Sequence, residues 1–354
     1  MASSILPERA LILANGLFDS VFAKTTHGLL RGPSRYDILG VIDPNYAGQD
    51  AGRILDGHHR NIPFFRSVTE ALELTSACPT HCVVGVATAG GMLPDALRKE
   101  LLAAASAGLT LVNGLHYLLS DDLEIAEQAT AGIIDLRKPR RASELRFWTG
   151  EILSVPTPRV AVLGMDCAIG KRTTATLLRA ALRVQGINAE MIYTGQTGWL
   201  QGLRHGFIFD STLNDFVSGE LEGAILACTR EMSPDVILLE GQSGLRNPAG
   251  PAGAEFICSA RAAGVILQHA PARSHFEDFE HLDCPLPPLP EEIELIRLLG
   301  SQVWAISLFT RGLDDSESSR IAADLEVCHG LPVVRPLEDG VGRLAETVRE
   351  KLIS

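Results

Sequence analysis

The chain has 354 residues, 46% hydrophobic and 21% charged, with a formal net charge of -12. At about 150 residues per domain, this length predicts two domains, each able to bury its own core. The acidic balance excludes a nucleic-acid or anionic-membrane partner, since either needs a basic face to displace counterions.

The one dense basic cluster, RKPRR at 137–141, reads as a solvated linker. The apolar run ALILANGLF at 10–18 follows Glu8 and Arg9, is too short to span a bilayer and lacks a small-residue cleavage pattern, so a cytoplasmic protein is expected. Seven scattered cysteines, an odd number, fit reduced thiols rather than a disulfide framework. Cys78, His81 and Cys82 lack a second Cys/His pair at zinc spacing and read as structural.

In chain order, apolar runs predict strands over 9–14, 36–43, 62–67, 81–87, 109–115 and 133–137, with helices over 20–30, 68–74, 94–108 and 121–132. Pro139, Pro156 and Pro158 punctuate a weakly periodic stretch. The domains are therefore set at 1–140 and 159–354, with a linker over 141–158. The second half predicts strands over 159–165, 189–195, 235–241, 265–270, 303–309 and 331–336, and helices reaching Gln185 and over 213–231, 254–264 and 316–330. This alternation predicts an α/β fold of two tandem doubly wound domains, whose ligands sit at the carboxyl ends of the strands.

The stretch GMDCAIGKRTT runs from Gly164 to Thr174, after a strand and before a helix. A P-loop wraps phosphate in backbone amides, adds the charge of a lysine and holds magnesium with the next hydroxyl. Gly170 and Lys171 fit. The first glycine is displaced to Gly164, and Arg172 stands where the hydroxyl belongs, so a magnesium ligand would have to come from Thr173 or Thr174. Asp166, Cys167 and Ala168 complete the expected phosphate cradle. Glu240 ends the apolar run DVILLEG, where a carboxylate could hold magnesium. At the end of the 189–195 strand, Gln196 and Thr197 lie among glycines that permit close approach of a ligand. Asp215 opens a helix, His269 ends a strand, and Arg273 follows it as a planar clamp for a carboxylate, with Arg246 as second choice.

Several of these segments together resemble a known family: GMDCAIGK, TGQTGWL, DFVSGELE, LLEGQSGL, PLPPLPEEIEL and FTRGL, with AKTTHGLLRG, GVIDP and NGLHYLLSDD in the first half. The family has two domains, was long catalogued as of unknown function, and contains the DgcN-like D-glutamate N-acetyltransferases. The chain departs from its pattern at Phe309, where asparagine is expected, and at Ser243-Gly244, where the order is reversed. The resemblance implies a Rossmann-like N-terminal domain and a P-loop NTPase-like C-terminal domain similar to dethiobiotin synthetase. It also implies acetyl transfer from acetyl-CoA to the amine of an acidic amino acid.

Coenzyme A carries phosphates that a P-loop can hold without phosphoryl transfer. Amine attack then needs a base, for which Glu240, Asp215 and His269 are the candidates. Cys167 could take the acetyl group first, although packing within the loop is its preferred reading. The rival readings are a kinase or carboxylate ligase using ATP and Mg2+, with Glu240 and Thr173 on the metal, and a non-catalytic nucleotide-binding regulator. A dehydrogenase, with Asp43 on a ribose, is discounted because ANGLFDS lacks the Gly-x-Gly-x-x-Gly pattern. A homo-oligomer acting on a small amino-acid substrate is expected.

Overall fold

The computed structural model describes residues 8–353. Contacts divide the chain into two compact units, one made of residues up to Pro139 with Gln196–Gly202, the other of Arg140–Gly195 with the residues from Leu203 onward. The stretch 141–158, expected as a linker, is thus grouped with the second unit. Each unit contains a six-stranded sheet in which neighbouring strands are parallel.

In the first unit, β1 (Arg9–Leu13), α1 (Lys24–Arg31), β2 (Asp37–Ile42), α2 (Ala51–Asp56), β3 (Phe64–Phe65), α3 (Val68–Leu74), β4 (His81–Val84), α4 (Asp95–Ser106), β5 (Thr110–Asn113), α5 (Leu123–Gln128) and β6 (Ile133–Asp135) alternate along the chain. The strand order is β3-β2-β1-β4-β5-β6, the doubly wound arrangement whose order reverses between β1 and β4. The inner strands are continuous apolar runs because helices cover both faces of a parallel sheet. Helices α2, α3 and α5 start where a side chain satisfies a free amide: Asp50 caps α2, Ser67 caps α3 and Asp122 caps α5.

In the second unit, β7 (Arg159–Gly164) leads through the glycine loop into α6 (Lys171–Val184) and then β8 (Ala189–Ile192). The short α7 (Gln196–Leu200) follows in sequence and packs into the first unit's core, where Leu200 is fully buried. The second unit resumes with α8 (Asn214–Met232), β9 (Val236–Glu240), α9 (Ala254–Cys258), β10 (Gly264–His269), α10 (Leu289–Leu298), β11 (Val303–Leu308), α11 (Asp315–His329), β12 (Val333–Val334) and α12 (Gly342–Ile353). Its strand order, β12-β11-β10-β7-β9-β8, puts β7 between β10 and β9. The segments following those three strands therefore meet around the glycine loop.

Several elements differ from expectation, among them the short helices α2 and α7, which lie where no helix was expected. Helix α9 stops at Cys258 rather than 264, with Arg261 left-handed at φ 56 before β10 begins. Helix α10 grows directly out of the proline-rich PLPPLP segment, because a proline in the first turn has no intrahelical bond to lose. Helix α12 was not expected from the sequence. Among the described residues, no helix is long and apolar enough to cross a membrane.

Candidate functional site

The loop between β7 and α6 reverses direction through two left-handed residues, Ala168 at φ 52 and Gly170 at φ 91. Gly164 at the end of β7 leaves room for the lysine, since a Cβ there would lie 2.9 Å from Ile169 Cδ1 and 3.0 Å from Lys171 Cδ. The lysine stem crosses that space and carries its ammonium to the Asp166 carbonyl at 2.5 Å and the Ser243 carbonyl at 2.7 Å. Lys171 thus spans the cradle, held by oxygens that a phosphate oxygen can replace.

The Asp166 carboxylate, fully buried, shapes the loop from beneath. It accepts from the Cys167 amide at 2.7 Å, Asn247 Nδ2 at 3.1 Å, Arg273 Nη1 at 2.8 Å and the Glu277 amide at 2.8 Å. Arg273 also donates to the Cys167 carbonyl and pairs with Glu277. The guanidinium expected as a substrate clamp is here a brace for the loop. Cys167, half-buried, donates from Sγ to Ser243 Oγ at 3.5 Å.

Two glycines bring the segment after β9 against the loop. A Cβ on Gly241 would meet the Val162 carbonyl oxygen at 2.4 Å, and one on Gly244 would meet the Met165 carbonyl oxygen at 2.6 Å. Glu240, at the end of β9, is almost completely buried. Its Oε1 receives Arg172 Nη2 at 2.6 Å and its Oε2 receives the Thr194 amide at 3.1 Å. Thr194 Oγ1 donates to the Glu240 carbonyl and accepts from Gln242 Nε2. Thr174, also buried, donates to Gln268 Oε1 at 2.8 Å. Thr173 is half-buried on the same helix.

His269, at the end of β10, sets Nδ1 3.0 Å from the sulfur of Met165 in the loop. Burial pushes its pKa down to about 4, with His329 adding to the effect, so the ring is neutral at pH 7.

The structure therefore gathers Gly164, Asp166, Cys167, Ala168, Gly170, Lys171, Arg172, Thr173, Thr174, Glu240, His269 and Arg273 around one loop. Other expected residues, Asp215 apart, are held by other partners. Arg246 is engaged by Glu291 and Glu292 of α10, each at 2.7 Å, and Asp215 is exposed in the first turn of α8. Gln196 and Thr197 belong to the first unit, where a Cβ on Gly114 would come 2.9 Å from Gln196 Cγ and Thr197 Oγ1 lies 3.0 Å from Thr25 Oγ1. The sequence reading missed Asn247, Thr194 and Gln242. A polar residue within a glycine-rich segment at a strand end was the available signal for each. In the first unit, Asp43 accepts from the amides of Gly16, Phe18 and Asn45, so its carboxylate shapes the β1 turn rather than waiting for a ribose.

The family described as a domain of unknown function, DUF1611_C P-loop domain, matches residues 146–345, and its DUF1611_N Rossmann-like partner matches residues 44–139. The chain belongs to the DUF1611 family. A DUF1611 family protein from Anabaena variabilis, solved by crystallography, superposes with a TM-score of 0.87 at 31% identity, over 97% of this chain and 99% of that one. Two curated relatives are named D-glutamate N-acetyltransferase. The one from Tritonibacter scottomollicae is 28% identical over 78% of this chain and 83% of its own length, and the one from a Pseudoalteromonas species is 28% identical over 73% and 78%. In this DUF1611 protein the matched P-loop domain contains the whole cluster around Lys171, whereas Asp43 lies one residue before the matched Rossmann-like segment.

Proposed function

We propose that this DUF1611 protein is an N-acetyltransferase that moves the acetyl group of acetyl-CoA to the amine of an acidic amino acid, D-glutamate before others, with the P-loop holding the phosphates of the donor. The observation that carries the reading is the likeness to two proteins named D-glutamate N-acetyltransferase over about three quarters of the chain. The loop supports it. Lys171 rests on two carbonyl oxygens in a cradle at the start of a fourteen-residue helix, where free amides and the helix dipole favour an anion.

Acetyl transfer needs a group that is unprotonated at working pH. Glu240 is committed to Arg172 and Thr194, and Asp215 stands exposed on α8. We assign the base to His269, whose ring is neutral at pH 7. As the amine nitrogen bonds to the thioester carbon, its proton passes to the imidazole. As the carbon-sulfur bond breaks, the imidazolium returns that proton to the departing thiolate. So low a pKa makes the ring a weak proton acceptor and a strong donor once protonated, so its return of the proton to the thiolate is the favoured half of the step.

The test is purified protein with acetyl-CoA and a panel of D- and L-amino acids in EDTA, with detection of free CoA, beside ATP and magnesium with detection of ADP. Release of CoA that depends on D-glutamate is the expected result. Metal-dependent ADP formation without CoA release would replace the reading with that of a kinase or ligase.

A further inference from the structure

A P-loop that transfers phosphoryl groups holds magnesium between the hydroxyl after its lysine and an acidic group on a neighbouring strand. Here the two positions are Arg172 and Glu240, and they hold each other at 2.6 Å. We propose that Arg172, fixed against Glu240, is the built-in cation of this loop, so that the loop binds a diphosphate without a metal ion. The proposal rests on the reading that the loop holds the phosphates of a cofactor.

Four observations converge on it. The hydroxyl is not supplied from nearby: Thr173 lies about 100° further round the helix than Arg172, and Thr174 is buried on Gln268. Both oxygens of Glu240 already accept hydrogen bonds, from Arg172 and from the Thr194 amide, and the side chain is only 2% exposed. A magnesium ion, which demands oxygens in near-octahedral array, would have to expel a guanidinium from that carboxylate. The space for the guanidinium is built in, because a Cβ on Gly195 would fall 2.9 Å from Arg172 Nη2. Finally, Arg172 Nε is buried and has no hydrogen-bond partner among the described residues.

A buried, unsatisfied donor on a charged group is costly unless an acceptor arrives. A phosphate oxygen is the acceptor that a planar guanidinium fits best. The three segments GKR, TGQ and LLEGQ, distant in sequence, thus build one device: a cation, room for it, and a carboxylate that aims it. The guanidinium carries one charge where magnesium carries two, and it acts beside the Lys171 ammonium and the loop amides.

The test is calorimetric binding of CoA and of ADP to the intact protein, each in EDTA and in magnesium. Wild-type affinity for both probes should agree within about twofold between the two conditions. Arg172→Thr, which restores the hydroxyl, should lose about tenfold or more in EDTA and regain part of it with magnesium. Arg172→Lys, which keeps charge but loses the fork, should bind more weakly and remain indifferent to metal. If Arg172→Thr does not fold, the wild-type and lysine measurements decide. A magnesium requirement in the wild type, or unchanged EDTA binding by Arg172→Thr, overturns the proposal. Metal-indifferent binding of ADP with no binding of CoA would sustain it while refuting the acetyl-CoA reading. Failure of both probes in both conditions overturns both.

Discussion

Asp166 has four partners and no exposure, so its charge is committed to holding the loop rather than to chemistry. Arg273 is its main counter-charge. Removing one member of such a buried pair strands the other, at a cost of about 3 kcal/mol or more. Arg273→Ala should therefore lower the melting temperature and weaken CoA binding, with the KM for the amino acid nearly unchanged. A rise confined to that KM, in a protein of normal stability, would restore the clamp read from the sequence. His269 gives a pH prediction whose sign follows from burial. Its folded pKa is about 4 against an ordinary 6.5. Between those values the unfolded chain binds a proton that the folded chain refuses. Stability is complete above pH 6.5 and declines as pH falls toward 4, by at most about 3 kcal/mol. Thermal melts across that window should decline more steeply for the wild type than for His269→Asn; parallel curves would show that the ring is not held neutral by the fold.

At the scale of elements, the twelve strands among the described residues overlap apolar runs visible in the sequence, because the inner strands, buried on both faces, leave continuous hydrophobic stretches between turns. The P-loop was legible for a related reason: glycine and lysine sit between a strand and a helix. The partner of Arg172 was not. Glu240 is brought to it by the β7–β9 pairing, which no local pattern encodes. Helix α10 was masked by prolines that signal a loop in any other setting. No local pattern distinguishes the glycines after β9, which the structure uses at Gly241 and Gly244 to bring one backbone against another. Gly244→Ala would press a methyl against the Met165 carbonyl oxygen at 2.6 Å. It should destabilise by about 1–3 kcal/mol and weaken CoA binding at the same time, measured by denaturant titration and calorimetry. A stability loss with intact CoA affinity would separate this contact from the phosphate cradle.

At the scale of the whole chain, the stretch 196–202 places Gln196 and Thr197, expected as substrate residues, in the first unit. Gly195 leaves room for Arg172 in the P-loop unit, while the next residue, Gln196, packs over Gly114 in the Rossmann-like unit. Adjacent residues serve different cores, and glycine spacing alone carries no sign of the change. Trp199 lies under the Arg35 guanidinium, 4.0 Å from its ring centre, Gln201 donates to the Gly28 carbonyl, and Leu200 is fully buried in the first core. Leu200→Ala should therefore cost about 2–5 kcal/mol through a cavity that the packed strands cannot close. Because that cavity opens in the first core, hydrogen exchange should accelerate in peptides covering β1 and α1, and hold its wild-type rate in peptides covering β7 and α6. Equal acceleration in both sets would mean that this segment, joined by its chain at both ends to the P-loop unit, stabilises the protein as one cooperative body rather than the Rossmann-like core alone.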